Sequence, residues 1–128
     1  MKELFWFLVK QINELDSQFC RGEIDVDQVQ EKLLILLNLI KDTPQESDFF
    51  KSAFIDMVSL PPRTSTFENC PDPTVPFCMH ELRWEEVKQK MSEAHNKFYC
   101  EILSNDMLSM LDSFEDDWEN RDEWPYFA

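Results

Sequence analysis

Cys70, Cys78 and His80 fall within eleven residues of a proline-rich stretch, and soft ligands that close together raise zinc as the first chemistry to weigh. Cys100 or His95 would have to supply the fourth ligand. The spacing, Cys-x7-Cys-x-His, lacks the paired Cys-x-x-Cys that lets one turn grip a metal from two sides. The expectation is therefore no metal, with the cysteines as small buried hydrophobes and His80 near a helix start. His80-Glu81 opens like the His-Glu-x-x-His helix of zinc proteases, but Trp84 stands where the second histidine belongs. Cys78 or Cys100 would make a nucleophile–base pair with His80 or His95 only if the fold joined them, and spacing alone does not demand it. No glycine-rich loop precedes a helix to cradle a nucleotide phosphate. The sequence thus predicts no catalytic residue and no cofactor.

Carboxylates are the other reactive type in quantity. Glu85-Glu86 and Asp116-Asp117 are sequence neighbours, and neighbours on a helix point to different sides, so each pair reads as a solvated face. Residues 114–127, FEDDWENRDEWPYF, differ in kind, because carboxylates alternate there with large aromatics. Aromatic anchors inside a charged rim are the composition of protein-binding hot spots, with the rim steering a basic partner. The predicted partner-binding residues are Glu115, Asp116, Asp117, Glu119, Asp122, Glu123, Trp124 and Tyr126. Phe114 and Trp118 are assigned to the core. Trp124, Tyr126 and Phe127 have two readings, contacts for a partner or a plug folded back on the molecule.

The charge agrees with binding something cationic. The 128 residues carry 26 Asp plus Glu against 12 Lys plus Arg, a net −14, beside 43% hydrophobic and 13% aromatic content. A chain with that apolar half buries enough surface to fold, so the charge is displayed on a folded object. Nine acidic residues against Arg121 alone lie between Glu101 and Ala128, giving −8 of the total. Such a field repels nucleic acid and anionic lipid and accelerates encounter with a basic protein. Neither nucleic acid nor a membrane is an expected partner, and no oligomeric state follows from the sequence.

The elements that must carry these residues read as helices. Gly22 is the sole glycine, which disfavours hairpins and phosphate loops. Leu4, Leu8, Ile12, Leu15 and Phe19 predict one helix face over about Lys2 to Cys20, stopped at Gly22. Asp25 predicts the N-cap of a second helix with a broad stripe of Val26, Val29, Leu33, Leu37 and Ile40, widened by Leu34, Leu36 and Leu39. Thr43-Pro44-Gln45-Glu46 starts a third, with Phe50, Phe54, Met57 and Val58, ending before Pro61-Pro62 and paired with the second as an antiparallel hairpin. Five of seven prolines lie between residues 60 and 78, predicting an extended crossover with Phe67, Val75 and Phe77 as pegs. Trp84, Val87, Met91, Ala94, Phe98 and Ile102 permit one long helix from about His80 to Leu103, with a break near His95-Asn96 as the alternative. Ser104-Asn105-Asp106 caps a last helix bearing Met107, Leu111, Phe114 and Trp118. The fold class is all-α: one domain over 1–128, a bundle of about five helices, a proline-rich loop at 60–78 and an acidic aromatic segment at 112–128.

No apolar run reaches the roughly 20 residues that cross a bilayer, and Leu4 to Val9 is too short, and too soon followed by charge, for a secretory leader. Four scattered cysteines without such a leader point to the cytoplasm. Leu82-Arg83-Trp84-Glu85-Glu86-Val87 together with Phe114-Glu115-Asp116-Asp117-Trp118-Glu119 resembles stretches of small acidic immunity proteins that protect bacteria from delivered toxins. The resemblance covers about twelve residues and implies a non-enzymatic cytoplasmic inhibitor that neutralises one cognate toxin domain, often a basic nuclease. The alternative is an adaptor or regulatory subunit that uses the leucine-rich helix and aromatic tail as its adhesive surface.

Overall fold

Helix α1 (Lys2–Cys20) buries Phe5, Leu8, Val9 and Ile12, an i, i+3, i+4, i+7 set that makes one continuous stripe. This computed structural model describes residues 2–59, 73–97 and 111–127. The buried stripe is rotated from the predicted one, since Leu4 and Phe19 are exposed and Leu15 only half-buried. The sequence offers two overlapping apolar stripes that share Leu8 and Ile12, and the one holding Phe5 and Val9 has the partners. Phe5 meets Phe49, Phe50 and Phe54 at centroid distances of 5.6, 5.6 and 5.8 Å. Such aromatic pairs add about 0.5–1.5 kcal/mol each beyond their area.

Gly22, at φ +74°, turns the chain, its N–H donating to the Phe19 carbonyl at 2.9 Å. Asp25 then holds extended backbone at the N-cap of α2 (Val26–Asp42), as expected, but its side chain makes no capping hydrogen bond. Val29, Leu33, Leu36, Leu37 and Ile40 are buried, and α2 packs along α1 and against α4 (Thr74–Leu82). A 3-10 turn, Pro44–Glu46, leads into α3 (Ser47–Ser59), where Phe50, Ala53, Phe54 and Val58 are buried. The predicted α2–α3 hairpin does not form, because α3 lies principally against α5 (Glu85–Lys97). Val87, Met91 and Ala94 of α5 supply the facing stripe.

Helix α4 is the main departure from the sequence reading, which placed Thr74–Cys78 in the crossover and began a helix only at about His80. Pro76 sits in its first turn, where a backbone N–H has no intrahelical acceptor to lose. Residues Thr74 through His80 are all buried, so these two turns have no solvent-facing side and no periodic signature. It ends at Arg83, whose φ of 55° is left-handed. Its N–H donates to the Met79 carbonyl at 2.8 Å, and its Nε to the His80 carbonyl at 2.8 Å. This bend separates His80–Leu82 from α5, so the predicted helix from His80 is two helices, broken at Arg83-Trp84. The backbone is helical through His95-Asn96 to Lys97.

Phe67 and the Ser104-Asn105-Asp106 cap lie outside the described residues. Leu111 and Asp112 are helical, but 113–117 are turns and Glu119–Glu123 is a 3-10 turn, so Phe114 and Trp118 are not on one helical face. The described residues contain five α-helices, no strand, and one core cluster that draws on every helix and on the C-terminal segment. No described helix is long and apolar enough to cross a membrane. Cys20 is disulfide-bonded, whereas Cys78 is buried and in no disulfide.

Candidate binding surface

The C-terminal segment is laid on α4 by alternating side chains. Phe114, Trp118 and Trp124 are buried, while Glu115, Asp116, Asp117, Asp122 and Glu123 between them are exposed. A chain of i to i+3 hydrogen bonds holds this alternation: Arg121 N–H to Trp118, Trp124 N–H to Arg121 and Phe127 N–H to Trp124, at 3.0–3.1 Å. Each short turn carries the next aromatic back to the core and leaves the carboxylates outside.

His80 is the floor of the arrangement. Its Nδ1–H donates to the Ser113 carbonyl at 2.8 Å, and its ring lies 5.1 Å from Trp118 and 4.7 Å, edge-on, from Phe127. The Trp118 indole Nε1 is buried without a hydrogen-bond partner among the described residues. Phe77 stacks edge-on with Trp124 at 5.2 Å and tilted against Phe127 at 4.9 Å. Arg121 closes the segment with its guanidinium, donating to the Phe127 carbonyl at 3.1 Å and the Asp116 carbonyl at 3.3 Å.

Trp124, one of the predicted partner-binding residues, is buried here, the arrangement that its plug reading describes. It is 6% exposed and fills the groove beside Phe77, because a large apolar ring gains more by leaving water there than by facing it. Tyr126, 43% exposed, does stand at the surface. Its N–H donates to Gln30 Oε1 at 2.8 Å and its hydroxyl to Glu81 Oε1 at 3.3 Å. Glu81 also accepts from Lys41, and that hydrogen bond holds its carboxyl below the ordinary carboxylate value while raising the Lys41 ammonium above its own.

The carboxylates are not equivalent. Asp116 pairs with Arg83 at 2.9 Å and Glu115 with Lys88 at 3.6 Å, so cations of α5 and the bend before it partly neutralise that end. Asp117, Asp122 and Glu123 make no ion pair among the described residues, and the Glu119 side chain lies outside them. Arg83, Lys88, Glu81 and Gln30 were not foreseeable at this surface, since they are 27 to 96 positions from the groups they meet.

Among the described residues no three His, Cys, Asp or Glu side chains converge as metal ligands, and the His80 Nδ1 is already engaged with a carbonyl. Cys70 and Cys100 lie outside the described residues, as does the His95 side chain. Glu86 of the other acidic pair is bound to Lys51 at 3.0 Å, which lowers its carboxyl from the ordinary value. No family model, no curated protein and no solved structure matches this chain.

Proposed function

We propose that this chain is a non-enzymatic inhibitor that binds and neutralises a basic protein, a toxin domain of nuclease type being the best fit, in the manner of an immunity protein. The observation that supports the reading is the segregation in residues 113–127: Phe114, Trp118 and Trp124 inward, the described carboxylates outward, with Asp117, Asp122 and Glu123 making no ion pair among the described residues. Exposed charge of one sign raises association rates with a complementary cleft, and a phosphate-binding nuclease presents such a cleft. The adaptor reading has weaker support, because the leucines of α2 and Trp124, its expected adhesive surface, are largely buried. The cytoplasm remains the compartment we propose, and alkylation of the protein in intact cells tests it, since a blocked Cys20 thiol would place the chain in an oxidising space.

The test uses a partner captured from cells with the full chain as bait and then purified. Association is measured between about 50 and 500 mM salt, a range that shortens the screening length severalfold. Asp117→Asn, Asp122→Asn and Glu123→Gln together, or added salt alone, should slow association while leaving dissociation nearly unchanged. The captured protein should also lose its activity in the complex. An association rate indifferent to both perturbations removes the support for this reading.

A further inference from the structure

We propose that the exposed face at the start of α1 is a self-complementary surface that pairs two copies of this chain antiparallel. Leu4, Trp6 and Phe7 are 47, 42 and 56% exposed, three large apolar side chains within four residues, about one turn of one helix. Hydrophobic side chains clustered this way mark an interaction surface, whereas single ones need no explanation.

The charges around them select the occupant. Glu3, Phe7, Lys10 and Glu14 follow one another at steps of four, three and four, which aligns them on one face, with Leu4 and Trp6 on its flanks. Glu3 and Lys10 are exposed and make no ion pair among the described residues. They stand two turns apart, about 10 Å along the axis, with Trp6 and Phe7 midway between them. A two-fold axis through that midpoint sets Glu3 of each copy opposite Lys10 of the other and Trp6 against Phe7, the isologous geometry that closes a dimer. Helix α1 carries Lys2 and Lys10 against Glu3, Glu14 and Asp16, a net of −1 on a chain of −14, so two copies meet here with little of their mutual repulsion. A basic partner finds an excess of only one carboxylate on this helix. An anionic lipid surface would meet Glu3 and Glu14 on the same face as the aromatics.

Sedimentation velocity on the full chain from about 1 to 300 µM, the range over which a small interface associates, tests the proposal. The expected result is a rise from the 15.4 kDa chain mass toward twice that value. Phe7→Asp should abolish the rise, and because Phe7 is exposed, an unchanged circular dichroism spectrum will show that the fold is intact. Glu3→Lys or Lys10→Glu alone should weaken the dimer about tenfold, since by symmetry each reversal converts two attractive pairs into two repulsive ones. The double exchange, Glu3→Lys with Lys10→Glu, should restore it. A chain that stays at monomer mass throughout, a dimer untouched by Phe7→Asp, or a monomer that binds phosphatidylglycerol vesicles through Trp6 would each overturn the proposal. None of these outcomes depends on what the acidic C-terminal segment binds.

Discussion

Truncating Trp124 separates a structural plug from a partner contact. In Trp124→Ala the indole that packs edge-on against Phe77 at 5.2 Å is lost from a site only 6% exposed. Removing a buried Trp or Phe ring ordinarily costs about 3–5 kcal/mol, which includes the cavity left behind. The lower end applies here, because the short turns that flank Trp124 can relax into part of the space. The aromatic pair with Phe77 falls within that figure and is not added to it. A loss of about 3 kcal/mol on a urea slope of about 1.5 kcal/mol per molar lowers the unfolding midpoint by about 2 M. Urea titration by circular dichroism and by tryptophan fluorescence measures it, with Tyr126→Ala, an exposed neighbour, as the reference expected to shift by far less. A Trp124→Ala midpoint within a few tenths molar of the parent would refute the plug and return Trp124 to the binding surface.

Gly22→Ala should cost about 1–2 kcal/mol from backbone strain alone, because φ is +74° while an added Cβ meets nothing within 4 Å. Thermal unfolding reads the loss, and Gly22→Asn should recover part of it, since Asn tolerates this conformation. The Glu81 carboxylate, held below its ordinary value chiefly by the Lys41 hydrogen bond, contributes stability that is present above the ordinary carboxylate range and is lost as pH falls through the lower folded value. Glu81→Gln should therefore melt slightly below the parent at pH 7, by a few tenths of a kcal/mol for so exposed a pair, and the gap should close in acid, once pH has fallen below the lowered folded value. A gap that persists in acid would assign the effect to packing.

The boundaries of α1 and the turn at Gly22 were legible because a periodic apolar run ended at a residue with unique backbone freedom. Which stripe of α1 faces inward was not legible: Leu4 and Phe5 are equally apolar, and the choice was made by Phe49, Phe50 and Phe54, more than forty residues away. Helix α4 was hidden because proline density argued for an extended chain, and full burial removed the polar face that would have shown a period. The break at Arg83 was hidden for a different reason. A left-handed C-cap usually announces itself with glycine, and here an arginine takes the position, with its guanidinium hydrogen-bonded back to the helix it ends. Of the candidate surface, the acidic residues were legible from composition. Trp124 was not, because an amphipathic aromatic suits a groove and an interface equally.

Arg121 is the sole cation from Glu101 to Ala128, and it spends its hydrogen bonds on backbone carbonyls rather than on carboxylates. It thus fixes geometry without an ion pair to any acid among the described residues. A run of like charges would by itself favour an open, fluctuating chain, yet the clasp and the buried rings hold these carboxylates at set positions before anything binds. Ordering a free backbone costs about 1–2 kcal/mol per residue, a cost already met inside the folded molecule. A cationic surface docking here would order only side-chain ends, about 0.5–1.5 kcal/mol each. A peptide of the same sequence, cut loose from His80 and Phe77, would carry the same net charge and still be a much poorer ligand.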